Sequence, residues 1–254
     1  MIILITNDDG YSAEGIKVMK KHLEGAGHTV YMIAPHANRS AVSHHINMKE
    51  PQEIKEVGDC EWSCTGLPVD CVAVGVRSDF LPNKPDCIIS GINYGANAGS
   101  DIVYSGTCAA ARQGSMYGIP SIAVSLEHEK GFKATAQDFE FDEIAAFVTR
   151  NLDKLVSICD TKFPYTFVNI NGFSGCQAKE WVAVEELAER QYHDWVSVDD
   201  EEDGTKKSHF HMGGSLTNGG EKSDYAISKS RKIAVCKIVS EPVCVDLPSD
   251  LELD

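Results

Sequence analysis

The sequence CIISGINYGANAGSDIVYSGT, residues 87–107, joins a short apolar run to a long polar segment. The apolar run Cys87-Ile88-Ile89 predicts a buried strand, and the eighteen residues from Ser90 onward include four glycines, two asparagines and one aspartate. In α/β proteins, a long polar loop after a buried strand commonly carries binding and catalytic residues. The loop ends at Ser105-Gly106-Thr107, where hydroxyls and a glycine begin a helix whose backbone N–H groups would face an anion.

Strand and helix patterns alternate on both sides of this segment. The apolar run 1–5 predicts a strand, Ile16, Met19 and Leu23 recur at helical spacing, and 28–34 predicts a second strand. Further strands are predicted at 62–65 (the end of a hairpin), 86–90, 121–126, 165–170, 181–187 and 232–238, and further helices at 67–76, 107–117 and 139–155. Such alternation predicts an α/β fold with a doubly wound, mostly parallel sheet.

The last third of the chain has a different pattern. After Asn171 the alternation fades, and the acidic run 199–203, which we expect to be a solvated loop, and the glycine-rich stretch 212–220 separate the remaining strands. The chain has 254 residues, 43% of them hydrophobic, which is enough for one large core. We expect a single domain over 1–254, with a core at 1–171 and a β-rich extension at 172–254.

Charge and cysteine content restrict the partners and the compartment. The net charge of −15 argues against a nucleic acid polymer as a partner, because nothing offsets repulsion from its backbone. No charged leader precedes an apolar run, and no apolar run reaches membrane-spanning length. The nine cysteines lack metal-type spacing. We therefore expect a cytoplasmic protein with reduced, structural cysteines and no membrane partner.

Asp8 and Asp9 directly follow the first predicted strand, at the sheet edge where open α/β sheets bind ligands. Two adjacent carboxylates repel each other, and keeping both ionised near neutral pH favours a bound cation. The sequence Asn-Asp-Asp-Gly is also typical of a tight turn. The residues alone leave both interpretations open.

Three further segments should reach the same edge. They supply Asn38-Arg39-Ser40, Asn93 with Asn97, and the helix cap at Ser105. These are oxygen donors without sulfur or an obligate histidine, which fits Mg²⁺ or Mn²⁺ better than zinc. Neither a dinucleotide-binding glycine pattern nor a phosphate-binding Gly-Lys-Ser/Thr sequence is present.

The histidines are weaker candidates. His44-His45 could supply a general acid or base, but packing in a loop is the preferred interpretation. His209 and His211 lie two apart in a predicted strand and could bind zinc only with partners that the sequence does not identify. His36 is closer to the predicted site and is a candidate for substrate contact, together with Tyr94 and Tyr104 as candidate walls of a base pocket.

Three blocks in this order and spacing closely resemble the SurE family of survival-protein nucleotidases. They are Ile3-Leu4-Ile5-Thr6-Asn7-Asp8-Asp9-Gly10, Ala34-Pro35 with Asn38-Arg39-Ser40, and Ser90-Gly91-Ile92-Asn93 through Gly106-Thr107. Thr65-Gly66-Leu67-Pro68-Val69-Asp70-Cys71-Val72 is similar to the family's segment between the second and third blocks. The similarity continues more weakly to the C-terminal strand.

The resemblance implies a Rossmann-like domain, one divalent metal ion, Mg²⁺ or Mn²⁺, and hydrolysis of nucleoside 5'-monophosphates to nucleoside and phosphate. Activity on 3'-monophosphates and on short polyphosphate stays open. The resemblance also implies a homodimer or homotetramer joined through the C-terminal extension. At the positions that match the family's motifs, the resemblance implies that the metal ligands are Asp8, Asp9, Ser40 and Asn93. It implies that the catalytic residues are Asp8 and Asp9. The implied phosphate-binding residues are Asn97, Ser105, Gly106 and Thr107.

The chain departs from the family pattern at three places. His36-Ala37 replaces the usual Asp-Arg, Ala41-Val42 replaces a Gly-Ala pair, and 232–238 differs from the usual C-terminal strand. The first two changes flank Ser40 and concern substrate preference, and the third concerns assembly geometry. None alters the four expected metal ligands.

The expected mechanism is metal-assisted hydrolysis of a phosphomonoester. Asp9 is preferred as the general base if Asp8 binds the metal more directly, although the sequence does not rank the two. A covalent aspartyl-phosphate route is disfavoured, because adjacent carboxylates in an extended segment point to opposite sides. A non-catalytic nucleotide-binding protein of the same fold is the alternative function, and a glycosyltransferase-like domain is a third.

Overall fold

The first strand, β1 (Ile2–Thr6), lies in the middle of the sheet in the computed structural model, which describes residues 1–244. It pairs in parallel with β2 (Thr29–Pro35) on one side and with β5 (Cys87–Tyr94) on the other. The chain therefore runs first to one side of β1 and later to the other. The switch point between β1 and β5 is where a doubly wound sheet opens a crevice for ligands.

Within residues 1–244, nine strands make the main sheet, in the order β3-β4-β2-β1-β5-β6-β7-β13-β8. The other strands are β3 Ile54–Gly58, β4 Glu61–Cys64, β6 Ser121–Glu127, β7 Thr166–Phe173, β8 Trp181–Ala183, β9 Glu189–Tyr192, β10 Trp195–Asp200, β11 Lys206–His211, β12 Ser215–Asn218 and β13 Ile233–Val239. The helices are α1 Glu14–Gly25, α2 Pro68–Arg77, α3 Gly106–Met116, α4 Asp142–Arg150, α5 Leu152–Ser157 and α6 Asp224–Lys229. Among the strands of the described residues, only the β3/β4 and β7/β13 pairs in this sheet are antiparallel, so the predicted mostly parallel α/β sheet is confirmed.

Alternate residues of β1 face two hydrophobic layers. Ile3 and Ile5 pack with apolar residues of α1, α4 and α5, whereas Leu4 packs with residues of α2 and α3. All three β1 side chains are fully buried. This arrangement explains the continuous apolar run at the start of the sequence, because a central parallel strand is covered on both faces.

One glycine sets the distance between α1 and β5. A Cβ added to Gly15 would lie 2.0 Å from the carbonyl oxygen of Ile92, so only glycine allows this approach of helix to strand. The close contact fixes β5 beside the loop that follows β1.

Several predicted boundaries are wrong. β5 does not end at Ser90 but continues to Tyr94 after a register shift between Ser90 and Asn93, so glycine and asparagine here belong to a strand end. The predicted helix 139–155 is two helices, α4 and α5, which meet at Asn151, where φ −105° and ψ 9° interrupt the helical backbone. Similarly, the predicted strand 181–187 is shortened to β8.

The predictions for the C-terminal third need two corrections. Asp199 and Asp200 of the acidic run belong to β10, where they pair across the hairpin with Lys207 and Lys206. Cross-strand pairing with lysine explains how these aspartates fit a strand. Helix α6 was not predicted.

The C-terminal part of the chain contributes both to the main sheet and to separate hairpins. β13 pairs with β7 and β8, whereas β10 pairs with β11, and β9 with β12, outside the main sheet. The β-rich extension is therefore confirmed, and the division of the domain at residue 171 stays a prediction. Among residues 1–244, no helix has the length and apolar character needed to cross a membrane.

Candidate active site

The candidate site begins with the turn after β1. The side chain of Asn7 closes this turn by donating from Nδ2 to Gly10 O at 2.9 Å and accepting Gly10 N–H at Oδ1, 3.1 Å. Gly10 has φ 104°, in the left-handed region that favours glycine. The predicted turn is thus present, and it presents Asp8 and Asp9 at the crevice between β1 and β5.

Asp8 is buried against the first turn of α3. Thr107 Oγ1 donates to Asp8 Oδ1 at 2.5 Å, and the Thr107 N–H donates to Oδ2 at 3.2 Å. A Cβ added to Gly106 would lie 2.9 Å from Asp8 Oδ2. The carboxylate is therefore fitted to the positive end of the α3 dipole, and glycine is needed for the approach.

Asp9 points to the other side, toward β5. Its Oδ2 accepts the backbone N–H of Tyr94 at 3.2 Å, and its Oδ1 lies 3.4 Å from Asn38 Nδ2. The adjacent carboxylates thus diverge, as expected for an extended segment. One is held by α3 and the other by the end of β5.

Both carboxyl groups are difficult to ionise in the protein alone. Burial raises the pKa of Asp8 above its ordinary value and outweighs the lowering effect of the hydrogen bonds from Thr107. Burial, followed by the negative charge of Asp8, raises the pKa of Asp9 to about 8. Two such groups side by side favour either a shared proton or a nearby cation.

The segment after β2 is attached to both aspartates. Arg39 N–H donates to Asp8 O at 2.6 Å, and Asn38 uses its Nδ2 toward Asp9 and its Oδ1 to accept the Ser40 N–H at 2.9 Å. Ser40 itself is exposed. The structure thus brings Ser40 next to residues that contact the aspartates, with its backbone fixed by Asn38.

Asn93 lies near the end of β5 and is largely buried. Its Nδ2 donates to Gly95 O at 2.8 Å and to Tyr94 O at 3.3 Å. Within residues 1–244 its Oδ1 receives no hydrogen bond, so this oxygen is the atom that Asn93 offers to a ligand. The neighbouring residue Tyr94 is the one that binds Asp9 through its N–H.

Asn97 is locked by polar residues of β6 and β7. Its N–H donates to Asn171 Oδ1 at 2.8 Å, its carbonyl accepts from Asn169 and Asn171, and its Nδ2 donates to Ser125 Oγ at 2.8 Å. One proton of the Asn97 amide group stays available. This network fixes the start of the loop between β5 and α3.

Ser105 is the N-cap of α3, as predicted. Its Oγ accepts the Cys108 N–H at 3.0 Å, which leaves the hydroxyl proton free to donate to another group. Gly106 and Thr107 form the first helical positions. Thr107 donates to Asp8, so the first turn of α3 binds this carboxylate directly. The same end of the helix can also donate to an anion that binds beside Asp8.

The other candidates do not join this constellation. His44 Nε2 lies 2.8 Å from Gln113 Oε1, which supports the packing interpretation, and His36 is exposed. On the hairpin, His211 stacks on Trp195 and His209 lies 3.5 Å from Asp199. In the described part of the chain, no three His, Cys, Asp or Glu residues form a metal-type cluster.

The suggested base-pocket residues differ in exposure. Tyr94 packs against Phe139 and Phe141, and its Oη accepts the Glu14 N–H at 2.8 Å. Tyr104, in contrast, is 60% exposed beside the α3 cap. Tyr94 is therefore a structural link from the site to α1, and Tyr104 stays a candidate for base contact.

Sequence reasoning missed the residues that orient the site. Asn38 was identified only as an oxygen donor, whereas it bonds to both Asp9 and Ser40. Asn169 and Asn171, which hold Asn97, were recognisable as two polar residues at alternate positions of an otherwise apolar strand.

The chain is similar to known proteins in both sequence and structure. Residues 3–194 match the family model described as "Survival protein SurE". A Treponema pallidum (strain Nichols) protein named "5'-nucleotidase SurE" is 46% identical over 176 residues, which cover 68% of this chain and 91% of that protein. A protein of the same name from Desulforudis audaxviator (strain MP104C) is 35% identical over 262 residues, covering 100% of this chain and 95% of that protein.

A solved structure shares the same architecture. "Crystal Structure of Sure Protein from Aquifex aeolicus" superposes with a TM-score of 0.75 at 27% sequence identity and covers 96% of this chain and 95% of that one. The matches include the turn that holds Asp8 and Asp9, the loop after β5 and the cap of α3. The chain therefore belongs to the SurE family.

Proposed function

We propose that this chain is a divalent-metal-dependent 5'-nucleotidase that hydrolyses nucleoside 5'-monophosphates to nucleoside and phosphate. The observation that supports it most is the pair Asp8 and Asp9, a buried carboxylate at the N-terminus of α3 beside a half-buried one at the end of β5. The names of the two relatives agree with this activity. The network around the pair is the arrangement expected of a phosphoryl-transfer site.

The donor atoms fit a hard divalent cation. No lysine, arginine or histidine among residues 1–244 forms an ion pair with Asp8 or Asp9, so their charges are left for a ligand to neutralise. Asn93 Oδ1 and the Ser40 hydroxyl add neutral oxygens. An oxygen-only set of this kind suits one Mg²⁺ or Mn²⁺ held by Asp8, Asp9, Ser40 and Asn93.

A divalent ion bound there would offset the charge of the substrate phosphate and lower the pKa of a water molecule. The chain's own residues fix the reacting groups. Asp8 is held by two hydrogen bonds from Thr107 and cannot rotate without breaking them. Asp9 accepts the Tyr94 N–H at Oδ2, at 3.2 Å, and its Oδ1 has only the longer contact with Asn38, at 3.4 Å.

We infer from this difference that Asp9 is the general base. A general base needs a carboxylate oxygen that is not already engaged by close donors, and Asp9 Oδ1, whose contact with Asn38 Nδ2 is 3.4 Å, is the least engaged of the four. Asp9 Oδ1 therefore takes the proton of the attacking water. A covalent aspartyl-phosphate route is disfavoured, because Asp8 and Asp9 point in different directions.

The phosphate-binding side is formed by the loop after β5 and the cap of α3. Asn97 offers one amide proton, Ser105 offers its hydroxyl proton, and Gly106 and Thr107 supply the positive end of the helix dipole. These donors can hold nonbridging oxygens of the phosphate as negative charge redistributes during hydrolysis.

The test is release of phosphate from a panel of 5'- and 3'-nucleoside monophosphates in Mg²⁺, Mn²⁺ or EDTA. We expect release by the wild type with either ion, none in EDTA, and a loss of at least about a hundredfold in Asp9→Asn. Asp203→Asn, the same change at an exposed turn, is the control and should keep wild-type activity. Nucleotide binding without phosphate release would instead favour a non-catalytic binding protein.

The proposal also includes further substrates of the same site. The panel includes 3'-monophosphates and short polyphosphate as further candidate substrates of the same site.

We place homodimer or homotetramer formation on the hairpin β10–β11, where Trp195, Val198 and Phe210 are 57%, 59% and 65% exposed. Light scattering would measure this assembly, and cytoplasmic localisation stays a prediction from the sequence.

A further inference from the structure

The loop between β5 and α3 is held from outside by the C-terminal part of the chain. This loop starts at Asn97, forms a 3₁₀ turn at Gly99–Val103 and ends at Ser105. The strand that contacts the turn is β9, which lies outside the main sheet and pairs with β12. These contacts are separate from the hydrogen bonds that orient Asp8 and Asp9.

Asp101, in the middle of the turn, is bound by two side chains of β9. Tyr192 Oη donates to Asp101 Oδ1 at 2.7 Å, and Arg190 Nη1 forms an ion pair with Asp101 Oδ2. The side chains of Arg190 and Asp101 are only 8% and 14% exposed. Removal of either partner would leave the other charge in a poorly hydrated position, so the pair resists separation.

The backbone links Asp101 to the cap of α3. Its carbonyl oxygen accepts the N–H groups of Tyr104, at 3.0 Å, and Ser105, at 3.1 Å. Ser105 in turn caps the helix whose residue Thr107 binds Asp8. A displacement of Asp101 would therefore move the cap and the donors that it presents.

A second set of bonds attaches the turn to the same C-terminal elements. The Arg190 N–H donates to Ser100 Oγ at 3.2 Å, and Asp224 accepts the N–H groups of Gly99 at 2.7 Å and Ala188 at 2.9 Å. A Cβ added to Gly99 would lie 1.9 Å from Ala188 O. The turn and the segment leading into β9 thus touch through their backbones.

We propose that Arg190 and Tyr192 are positioning residues for the phosphate-binding turn, acting through Asp101. This proposal rests on the proposed function, which assigns Ser105 and its neighbours to the substrate phosphate. Neither residue touches the carboxylates of Asp8 and Asp9. The two residues therefore set the affinity for the phosphate group and leave metal binding unchanged.

Tyr192→Phe is the primary test, because it removes one hydroxyl and retains the ring. We expect KM for a nucleoside 5'-monophosphate and the inhibition constant of inorganic phosphate both to rise roughly five- to tenfold. The change in kcat should be smaller, and the Mn²⁺ concentration for half-maximal activity should match that of the wild type. A role limited to stability would lower the melting temperature without moving the inhibition constant.

Asp101→Asn is the second variant and should raise KM and the inhibition constant further, by about thirtyfold, because Arg190 loses its partner. Asp160→Asn is the matched control. Asp160 forms an ion pair with Lys237 near the start of β7, at the end of the strands opposite to the candidate site. Removing its carboxylate should keep both constants at wild-type values.

The outcomes separate the two proposals. Active enzyme with unchanged KM and unchanged phosphate inhibition in both Tyr192→Phe and Asp101→Asn would overturn the positioning role and leave the nucleotidase intact. A wild type that releases no phosphate from any nucleotide would overturn the proposed function, and the positioning role with it. Raised constants in both variants, with the control unchanged, would support the proposal.

Discussion

Thr107 and Thr205 each donate their hydroxyl and backbone N–H to an aspartate, Thr107 to Asp8 in the candidate site and Thr205 to Asp203 in the turn between β10 and β11. The hydroxyl distances are 2.5 and 2.6 Å. These bonds lower the pKa of Asp203, which is exposed. The pKa of Asp8 is raised nevertheless, because burial outweighs the same kind of bonds.

The comparison shows how Asp8, a carboxylate of the candidate site, differs from Asp203, a carboxylate that stabilises a turn. The two aspartates have similar hydrogen bonds, so geometry alone does not separate them. The two aspartates differ in their access to water: Asp203 is exposed, whereas Asp8 is buried beside the half-buried carboxylate of Asp9 and has no cationic partner in the described part of the chain. Such a site is unfavourable by itself, and a bound cation would stabilise it.

The largest difference is expected between the two threonine substitutions. Thr107→Val removes the donor that orients Asp8 and should lower kcat/KM by at least about a hundredfold, whereas Thr205→Val should leave activity unchanged. Phosphate release at saturating Mg²⁺ measures both. Equal activities in the two variants would show that the bond to Asp8 has no functional importance.

Backbone packing gives a second matched pair. A Cβ added to Gly15 would lie 2.0 Å from Ile92 O, and one added to Gly213 would lie 2.0 Å from His193 O. Gly15→Ala presses on the interior between α1 and β5 and should lower the free energy of unfolding by about 2–3 kcal/mol. Gly213→Ala also presses on backbone, but beside an exposed hairpin outside the core, and we expect a smaller loss of about 1 kcal/mol in urea unfolding.

The pH dependence of stability should differ between the regions. Because the pKa of Asp9 is raised to about 8, the folded chain in EDTA binds more protons than the unfolded chain between pH 4 and 8. Its stability therefore falls as the pH rises through this range. Asp9→Asn should remove much of this slope and melt roughly 5 °C higher than the wild type in EDTA at pH 8.

Asp203→Asn is the control for this measurement. The lowered pKa of Asp203 gives the opposite sign, a contribution that is present above its ordinary pKa and lost in acid. Its melting temperature at pH 8 should equal that of the wild type or lie slightly below it. A wild-type pH slope retained in Asp9→Asn would contradict the electrostatic account of the site.

The smallest effect on stability is expected at the exposed hairpin face. Val196 and Phe210 are cross-strand partners, and Val198 lies on the same face. Phe210→Ser should leave the melting temperature nearly unchanged but shift the mass measured by light scattering toward the single chain. Met48→Ser, at a residue that is 85% exposed elsewhere, should leave the mass unchanged.

The sequence predicts the local structure around Asp8 and Asp9 well. The apolar run before Asp8 and Asp9 identifies a central strand, and strand direction then places the aspartates at the ligand-binding edge. The continuation of β5 through Asn93 and Tyr94 could not be predicted from local propensity. Glycine and asparagine are typical of loops, and here pairing with β6 overrides that preference.

Contacts between distant parts of the chain were also beyond sequence reasoning. Arg190 and Asp101 are separated by 89 positions, and nothing in the local pattern of either residue indicates the other. The same holds for Asp224, whose bond to Gly99 spans 125 positions. Such pairs depend on how the sheet and hairpins pack, and only a three-dimensional structure identifies them.

The placement of β13 beside β7 has a consequence for how the protein can be made in the cell. Residues 233–239 leave the ribosome about sixty residues after β7, several seconds later at ordinary translation rates, yet they cover the edge of that strand. Until then the backbone of β7 is open to pairing with other chains. A product stopped at residue 194, where the family match ends, would keep that edge permanently and should aggregate.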